Sequence, residues 1–249
     1  MRAIVLAGGK GTRLRPFTNV FPKPLMPLGA DEPVPILEVV LRQLGRHGYR
    51  DVTIITGYLG EYIETFCRDG RQFGVAVDYR REVSPLGTAG GLLLVDRPAE
   101  PVLVINGDIL TTLDFAAMGR FHRDRGALAT IAAYPREVRI DFGVLEFGDD
   151  PHVLANYREK PVIPYQVSMG IYLLAPMAWD HLTPGVALGM PDLLESIRAE
   201  HPGGVHCYRE DCEWLDIGRI DDYAAAEEKF EANRAAYLGP ASRPKLRVG

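Results

Sequence analysis

The sequence predicts an α/β protein, a mostly parallel sheet with helices on both faces. Three observations carry this. Short apolar runs of strand length recur through the first half and end in glycine-bearing loops: AIVLA before Gly8, DVTIIT before Gly57, and VLVIN before Gly107. Stretches with apolar residues at helical spacing alternate with those runs. The chain has 249 residues, 47% of them hydrophobic, enough for one sizeable core without covalent staples.

Ala3–Ala7 is a short apolar run closed by Gly8, Gly9 and Gly11, and reads as a buried strand. Arg13–Pro35 is a loop or broken surface element, because Pro22, Pro24 and Pro27 exclude a regular helix. Ile36–Gly48 carries Leu37, Val40, Leu41 and Leu44 at helical spacing, with Gly45 and Gly48 near its end. Asp51–Gly57 is the second strand, Glu61–Asp69 a helix and Val75–Tyr79 a strand. SPLGTAGGLLLVD reads as a glycine-bearing loop running into a helix. Val102–Ile105 is the next strand, Phe115–Arg125 a helix and Leu128–Ala133 a strand.

The second half is less regular. Gly143–Phe147 and Ser168–Leu174 read as edge or hairpin strands, Asp192–Glu200 as a short helix, and Val205–Tyr208 and Glu213–Ile217 as short strands. Ile220–Leu238 is a long helix. Asp221 and Asp222 suit its start, and Gly239–Pro240 stops it. Residues 1–240 form one domain with β-rich insertions, and 241–249 are expected to be a flexible tail.

Composition narrows the function classes. Lys plus Arg is 28 against 33 Asp plus Glu, a net charge of -5, which disfavours a broad nucleic-acid footprint or an anionic membrane surface. No apolar run is long enough to span a bilayer. The start, MRAIVLAGGKGTR, is expected to be a first strand rather than a signal peptide. The three cysteines, Cys67, Cys207 and Cys212, are too few for a disulfide scaffold and favour a reducing, cytoplasmic setting. Cys207 and Cys212 do not match zinc spacing, and the histidines show no ligand spacing. Ser84, Ser168 and Ser196 lack a nucleophile-elbow context.

The first glycine loop follows a strand, where an open α/β sheet places its ligands. It is not a dinucleotide fingerprint, since Leu14 stands where the third glycine belongs, and Gly8–Thr12 is too compressed for a P-loop. Three glycines around a lysine still let backbone amides approach phosphates. Lys10, Arg13, Arg15 and Lys23 add cations nearby. Together they favour a polyphosphate site over a plain tight turn. Asp108 ends the VLVINGD stretch and Asp216 ends EWLD. Two carboxylates brought together repel each other, and Mg²⁺, an ion of oxygen ligands, would relieve that repulsion. The alternatives are a capping or turn role for Asp108 and a helix-start charge for Asp216.

These stretches resemble the sugar-1-phosphate nucleotidyltransferase family. The resemblance runs in family order through LAGGKGTRLRP (Leu6–Pro16), FPKPLMPL (Phe21–Leu28), SPLGTAGGL (Ser84–Leu92), NGD (Asn106–Asp108), FGVLEF (Phe142–Phe147), REKP (Arg158–Pro161) and WLDIG (Trp214–Gly218). In motif style it is nearest to the mannose and heptose guanylyltransferases. The resemblance implies a Rossmann-like nucleotide-diphospho-sugar transferase fold with β-rich sugar-binding insertions. It implies the reaction of a nucleoside triphosphate with a sugar 1-phosphate to give a nucleoside-diphosphate sugar and pyrophosphate. By the same analogy Leu6, Ala7, Gly8, Gly9, Gly11, Thr12 and Arg13, with Pro85, Gly87, Thr88 and Gly90, bind the nucleotide. Arg13, Lys23 and Asp108 are catalytic, and Asp108 and Asp216 hold Mg²⁺. Asn106, Gly143, Glu159, Lys160 and Ser168 face the sugar phosphate.

Two departures fall on the sugar side. Ser168–Met169–Gly170 stands where the family usually has Asn-Ala-Gly, and Phe142 where it has tyrosine. Both remove hydrogen-bonding groups, which suggests a heptose, modified hexose or cyclitol phosphate. The Ser84–Leu92 loop leans toward GTP, with thymidylyl, cytidylyl and uridylyl transfer as alternatives. The hexapeptide-repeat β-helix of longer relatives is not present, so a second acyltransferase activity is not expected. The last helix either packs on its own domain or pairs two subunits as a homodimer. A glycosyltransferase and a non-enzymatic nucleotide sensor are the competing classes. The first lacks a DxD motif at Asn106–Asp108, and Lys23, Asp108, Lys160 and Asp216 argue against the second.

Overall fold

The computed structural model describes residues 1–218 and 220–239. The chain opens with β1 (Arg2–Ala7), followed by three 3₁₀ turns and two short strands, β2 (Pro27–Leu28) and β3 (Val34–Pro35). Helix α1 (Ile36–Arg46), β4 (Asp51–Thr56), α2 (Gly60–Cys67) and β5 (Ala76–Arg81) complete the first cycles. A single turn, α3 (Gly87–Gly90), leads to β6 (Val102–Asn106), β7 (Ile109–Thr111), α4 (Phe115–Asp124) and β8 (Ala129–Arg139). A hairpin of β9 (Val144–Phe147) and β10 (Leu154–Arg158) precedes β11 (Val162–Leu174). Then come α5 (Met190–Glu200), β12 (Val205–Tyr208), β13 (Trp214–Asp216), α6 (Ile220–Ala232) and α7 (Arg234–Leu238).

The main sheet has seven strands in the order β12-β8-β11-β6-β1-β4-β5. Its β6-β1-β4-β5 half is parallel throughout, as is the β8–β12 pair. Strand β11 lies between, antiparallel to both β6 and β8. The expected mostly parallel sheet is therefore mixed at one strand.

The apolar runs are continuous because both faces are covered. Ala3 and Val5 of β1, with Leu103 and Ile105 of β6, pack against Leu37, Val40, Leu41 and Leu44 of α1, Ile63 of α2 and Met118 of α4. Ile4, Val102 and Val104 point the other way, onto Met190, Leu193 and Ile197 of α5. Each such fully buried Leu, Ile or Val stabilises the fold by roughly 1.5–3 kcal/mol relative to exposure. Asp114 caps α4 by accepting from the Ala116 and Ala117 amides at 2.8 and 2.9 Å.

Two expectations change. SPLGTAGGLLLVD forms one helical turn and a 3₁₀ segment, Gly91–Leu94, rather than a full helix, since glycines disfavour extension. The long last helix breaks at Asn233 (φ −128°), whose Nδ2 donates to Glu213 Oε1 at 2.8 Å. Both pieces pack on their own domain: Ala226, Phe230 and Tyr237 bury against Leu28, Val34, Ile36 and Leu110. The expected tail at 241–249 lies outside the described residues. No helix among the described residues is long and apolar enough to cross a membrane.

Candidate active site

The chain leaves β1 toward β4 on one side, whereas β6 returns on the other. The C-terminal ends of β1 and β6 thus flank a topological switch point, where open α/β sheets bind ligands. Two neighbouring cavities that share Leu6, Gly9 and Thr88 open there. The smaller, about 280 Å³, is lined by Leu6, Ala7, Gly9, Gly11, Thr12 and Arg13, and by Lys23, Pro24, Thr88, Asn106, Asp108 and Gly218. The larger, about 820 Å³, is lined by Leu6, Gly8, Gly9, Lys10, Tyr58 and Arg81, and by Glu82, Pro85, Gly87 and Thr88, among others.

The glycine loop is built by close backbone approach. A Cβ on Gly57, at the end of β4, would sit 2.8 Å from the Gly8 carbonyl oxygen and 3.0 Å from Gly8 Cα. Gly11 adopts φ +58°, and a Cβ there would meet Thr18 Cγ2 at 3.0 Å and Lys23 Cβ at 3.1 Å. Thr18 Oγ1 donates to the Gly11 carbonyl at 2.8 Å, tying the loop to the following segment. The Arg13 guanidinium lies over Gly218, where a Cβ would be 3.0 Å from Nη1.

The proline-rich segment that excludes a helix instead forms the 3₁₀ turn Lys23–Leu25 and turns Lys23 inward. Lys23 is only 6% exposed. Its Nζ contacts Asp108 Oδ2 and lies 3.9 Å from Asp216 Oδ1. The two acids meet because β13 pairs antiparallel with β7, placing Asp216 opposite Ile109, the neighbour of Asp108. Burial pushes the Asp216 carboxyl above its ordinary pKa. Repulsion from Asp108 adds to this, while Lys23 and Arg13 pull it back. Oxygen donors at the end of a rigid strand pair, already gathered around an ammonium ion, fit the requirements of Mg²⁺.

The loop from Ser84 is clamped from outside. The Leu188 carbonyl accepts from Ala89 and Gly90 amides at 2.9 and 3.1 Å, and the Met190 amide donates to Thr88 Oγ1 at 2.7 Å. Gly90 packs against this clamp, with Val186 O 2.8 Å from where its Cβ would lie, and is not a lining residue of either cavity. Glu82 had no role in the sequence reading, yet its Oε2 lies 2.8 Å from the Cβ position of Gly8, against the larger cavity. Burial raises its pKa, offset in part by a hydrogen bond from the Leu86 backbone. Its signal in the sequence is a carboxylate just ahead of SPLGTAGG.

Asn106 lines the smaller cavity and packs over Gly170 (φ +74°), whose Cβ position is 2.6 Å from Asn106 Nδ2. Gly170 sits where the β8–β11 register shifts. Ser168 donates to Tyr172 Oη at 3.0 Å and accepts from the Gly170 amide at 3.3 Å. The remaining sugar-side residues gather elsewhere, around the β9–β10 hairpin. Tyr157 Oη donates to Glu159 Oε2 at 2.8 Å and occupies the space a side chain on Gly143 would need. Lys160 follows with φ +43°. Gly143, Glu159, Lys160 and Ser168 line neither cavity.

Residues 2–233 match the model of a family described as nucleotidyl transferase. A UTP–glucose-1-phosphate uridylyltransferase from Synechocystis sp. is 32% identical over 242 residues, covering 90% of this chain and 61% of the relative. A mannose-1-phosphate guanyltransferase from Yarrowia lipolytica is 30% identical over 260 residues, covering all of this chain and 70% of the relative. The chain thus spans between three-fifths and seven-tenths of the length of these two relatives. In fold it resembles the crystal structure of HddC from Yersinia pseudotuberculosis, with a TM-score of 0.70 at 24% identity, over 92% of this chain and 99% of the other. The switch-point cavities, the glycine loop, the buried lysine between two aspartates and a family match along nearly the whole described chain lead to one assignment: the chain belongs to the nucleotidyl transferase family.

Proposed function

We propose that the protein joins a nucleoside triphosphate to a sugar or cyclitol 1-phosphate, releasing pyrophosphate. The observation that carries this is the Lys23 ammonium held between Asp108 and Asp216, at the mouth of the Gly8–Thr12 loop. An acceptor phosphate monoester has its second pKa near ~6 and is mostly dianionic at neutral pH. It attacks the α-phosphorus in line and needs no general base. The protein's tasks are alignment and charge compensation. Lys23 exchanges its aspartate contact for the α-phosphate and the incoming acceptor phosphate, and so offsets the repulsion between them. Arg13 neutralises charge on the leaving pyrophosphate. Leu6, Ala7, Gly8, Gly9, Gly11 and Thr12 bring backbone close to the triphosphate. Asp108 and Asp216 hold Mg²⁺, which when bound supplies further charge neutralisation to the phosphates. Asn106, Gly143, Glu159, Lys160 and Ser168 contact the acceptor once the hairpin region meets it.

Pro85, Gly87 and Thr88 line the base cavity, Gly90 supports their loop from behind against Val186 and Leu188, and we assign guanine to the cavity. The relatives carry uridylyl and guanylyl names, so similarity does not choose the base. The Glu82 carboxylate does bear on the choice. It can accept two donors side by side. Guanine offers them as N1–H and the N2 amino group, whereas uracil and thymine offer one N–H flanked by two acceptors.

The test is a grid of pyrophosphate release with Mg²⁺. GTP, UTP, dTTP, CTP and ATP are crossed with mannose, glucose, heptose and cyclitol 1-phosphates, with mass confirmation of products. The expected result is a dominant GTP row, weakened selectively by Glu82→Gln. Dominance of another nucleotide would overturn the guanine assignment and leave the reaction standing. Silence in every cell, with nucleotide binding intact, would overturn the reaction and leave a nucleotide sensor.

A further inference from the structure

Away from the cleft, the 3₁₀ turn Pro176–His181 and the C-terminal end of α5 bring two imidazoles and a carboxylate together. His181, Glu200 and His201 each offer one ligand atom, and these atoms all lie within 4.8 Å of one another. The His181 side chain is 5% exposed, whereas that of Glu200 is 67% exposed. The two rings stand edge to face, 5.8 Å between centroids at 74°. From these residues we propose a second metal centre: a zinc ion held by His181, Glu200 and His201, fastening the turn to the end of α5.

Simpler readings account for the cluster less well. A His181–Glu200 ion pair, at 3.8 Å between Nδ1 and Oε1 too long for a hydrogen bond, leaves the position of His201 unexplained. A Ser-His-Glu relay needs serine and carboxylate on opposite ring nitrogens. Here Ser196 Oγ, at 2.9 Å, and Glu200 both face Nδ1. With Ser196 on Nδ1, Nε2 is the nitrogen left for the ion; the serine fixes the rotation of the ring, as partners on the other nitrogen of metal-bound histidines do, and the exposed Glu200 side chain turns from the Nδ1 side to share the ion.

The donor set selects the ion. Mg²⁺ and Ca²⁺ take oxygen ligands, whereas two imidazoles and one carboxylate suit zinc, with water completing a tetrahedron. Bonds of about 2.0–2.1 Å place tetrahedral ligands about 3.4 Å apart. Rotation of the exposed Glu200 side chain and a small shift of His201 close the remaining difference. The scaffold is already ordered. Trp179, in the same turn as His181, is buried and donates from Nε1 to the Val95 carbonyl at 3.3 Å. Little chain entropy is then lost on binding. Helix α5 runs from this centre to Met190, whose amide holds Thr88. The ion would anchor the far end of the helix whose near end clamps the base loop.

Zinc titration of untagged, chelator-stripped full-length protein tests this, with the chelator removed first. Asp108→Asn serves as the background that disables the cleft carboxylate pair. Expected are one zinc per chain in the Asp108→Asn background, at least one in the parent, visible d–d bands when Co²⁺ replaces zinc, and a zinc-dependent rise of about 5 °C in Tm. Glu200→Gln and His201→Ala should each weaken binding at least about tenfold and remove the Tm rise. Glu200 is surface-exposed, so its variant should keep the fold even if a histidine variant does not. Zinc affinity unchanged in Glu200→Gln and His201→Ala, or no zinc retained by the parent protein, would overturn the proposal.

Discussion

Lys23→Ala probes the site most directly. The side chain is 6% exposed and compensates two carboxylates that otherwise face each other. At 3.9 Å and an effective dielectric near 20, one such pairing amounts to about 4 kcal/mol of Coulomb energy. Solvent reaches Asp108 and Asp216, whose side chains are 25% and 47% exposed. The net stability loss should therefore fall between the ~1 kcal/mol of an exposed pair and the ~3 kcal/mol at which breaking a buried one begins. That corresponds to a Tm lower by about 2–10 °C for a chain of this size, which leaves the variant folded at 25 °C. Turnover should suffer far more. A preorganised positive charge aimed at developing negative charge contributes about 10²–10³ in kcat. The assay is initial-rate pyrophosphate release at saturating substrates, beside thermal unfolding of the same preparation. Lys23→Arg should not restore the rate, because a planar fork does not replace a compact ammonium in a turn this tightly packed. A folded Lys23→Ala enzyme within about threefold of parental kcat would refute the reasoning.

Two further outcomes follow from particular contacts. Gly57→Ala places a methyl 2.8 Å from the Gly8 carbonyl oxygen, and backbone cannot swing aside as a side chain can. Nucleotide affinity by calorimetry should drop at least about tenfold with a stability loss of roughly 1–3 kcal/mol, and parental affinity would show that the loop tolerates displacement. His122 is buried, and burial first, then the charges of Arg123 and His206, pushes its pKa down from 6.5 to about 4. The folded protein therefore keeps the ring neutral while the unfolded chain takes up the proton, so stability is complete above pH 6.5 and is lost as pH falls toward 4. Urea unfolding should show about 2 kcal/mol less stability at pH 5 than at pH 7.5 from this group, and a weaker dependence in His122→Gln; parallel pH dependences would refute the assignment.

Local signals made much of this molecule legible in its sequence. β1, β4 and β6 announce themselves as apolar runs closed by glycine, and α1 by Leu37, Val40, Leu41 and Leu44. The glycine loop and its cations stand out for the same reason: every part lies within one short stretch. What sequence did not yield depends on pairing across long separations. Asp108 and Asp216 meet through β7 and β13, three-residue strands too short to carry a periodic signal. Strand β10 was missed because LANYR is fully exposed and lacks a core-facing alternation. Glu82 gave no motif of its own, and its position beside Gly8 follows from β5 joining β4 in the sheet. His181 and His201 show no ligand spacing because a whole helix separates them. The break at Asn233 depends on a tertiary hydrogen bond to Glu213.

The reversed strand β11 has a consequence for how the molecule can vary. It joins the parallel β6-β1-β4-β5 half of the sheet to the rest through one short ladder, Ile171–Leu174 against Val102–Ile105, while its pairing with β8 continues from Val162. The nucleotide loops hang from one side of that seam, and the β8–β11 arm, with the hairpin between its strands, hangs from the other. The hairpin lies on the far side of that ladder from the Gly8–Thr12 loop, so changes confined to it leave the loop's own contacts with Thr18 and Gly57 in place. A sheet divided in this way works like a tool holder: the handle that carries the glycine loop is one piece, and the jaw that carries the hairpin is another.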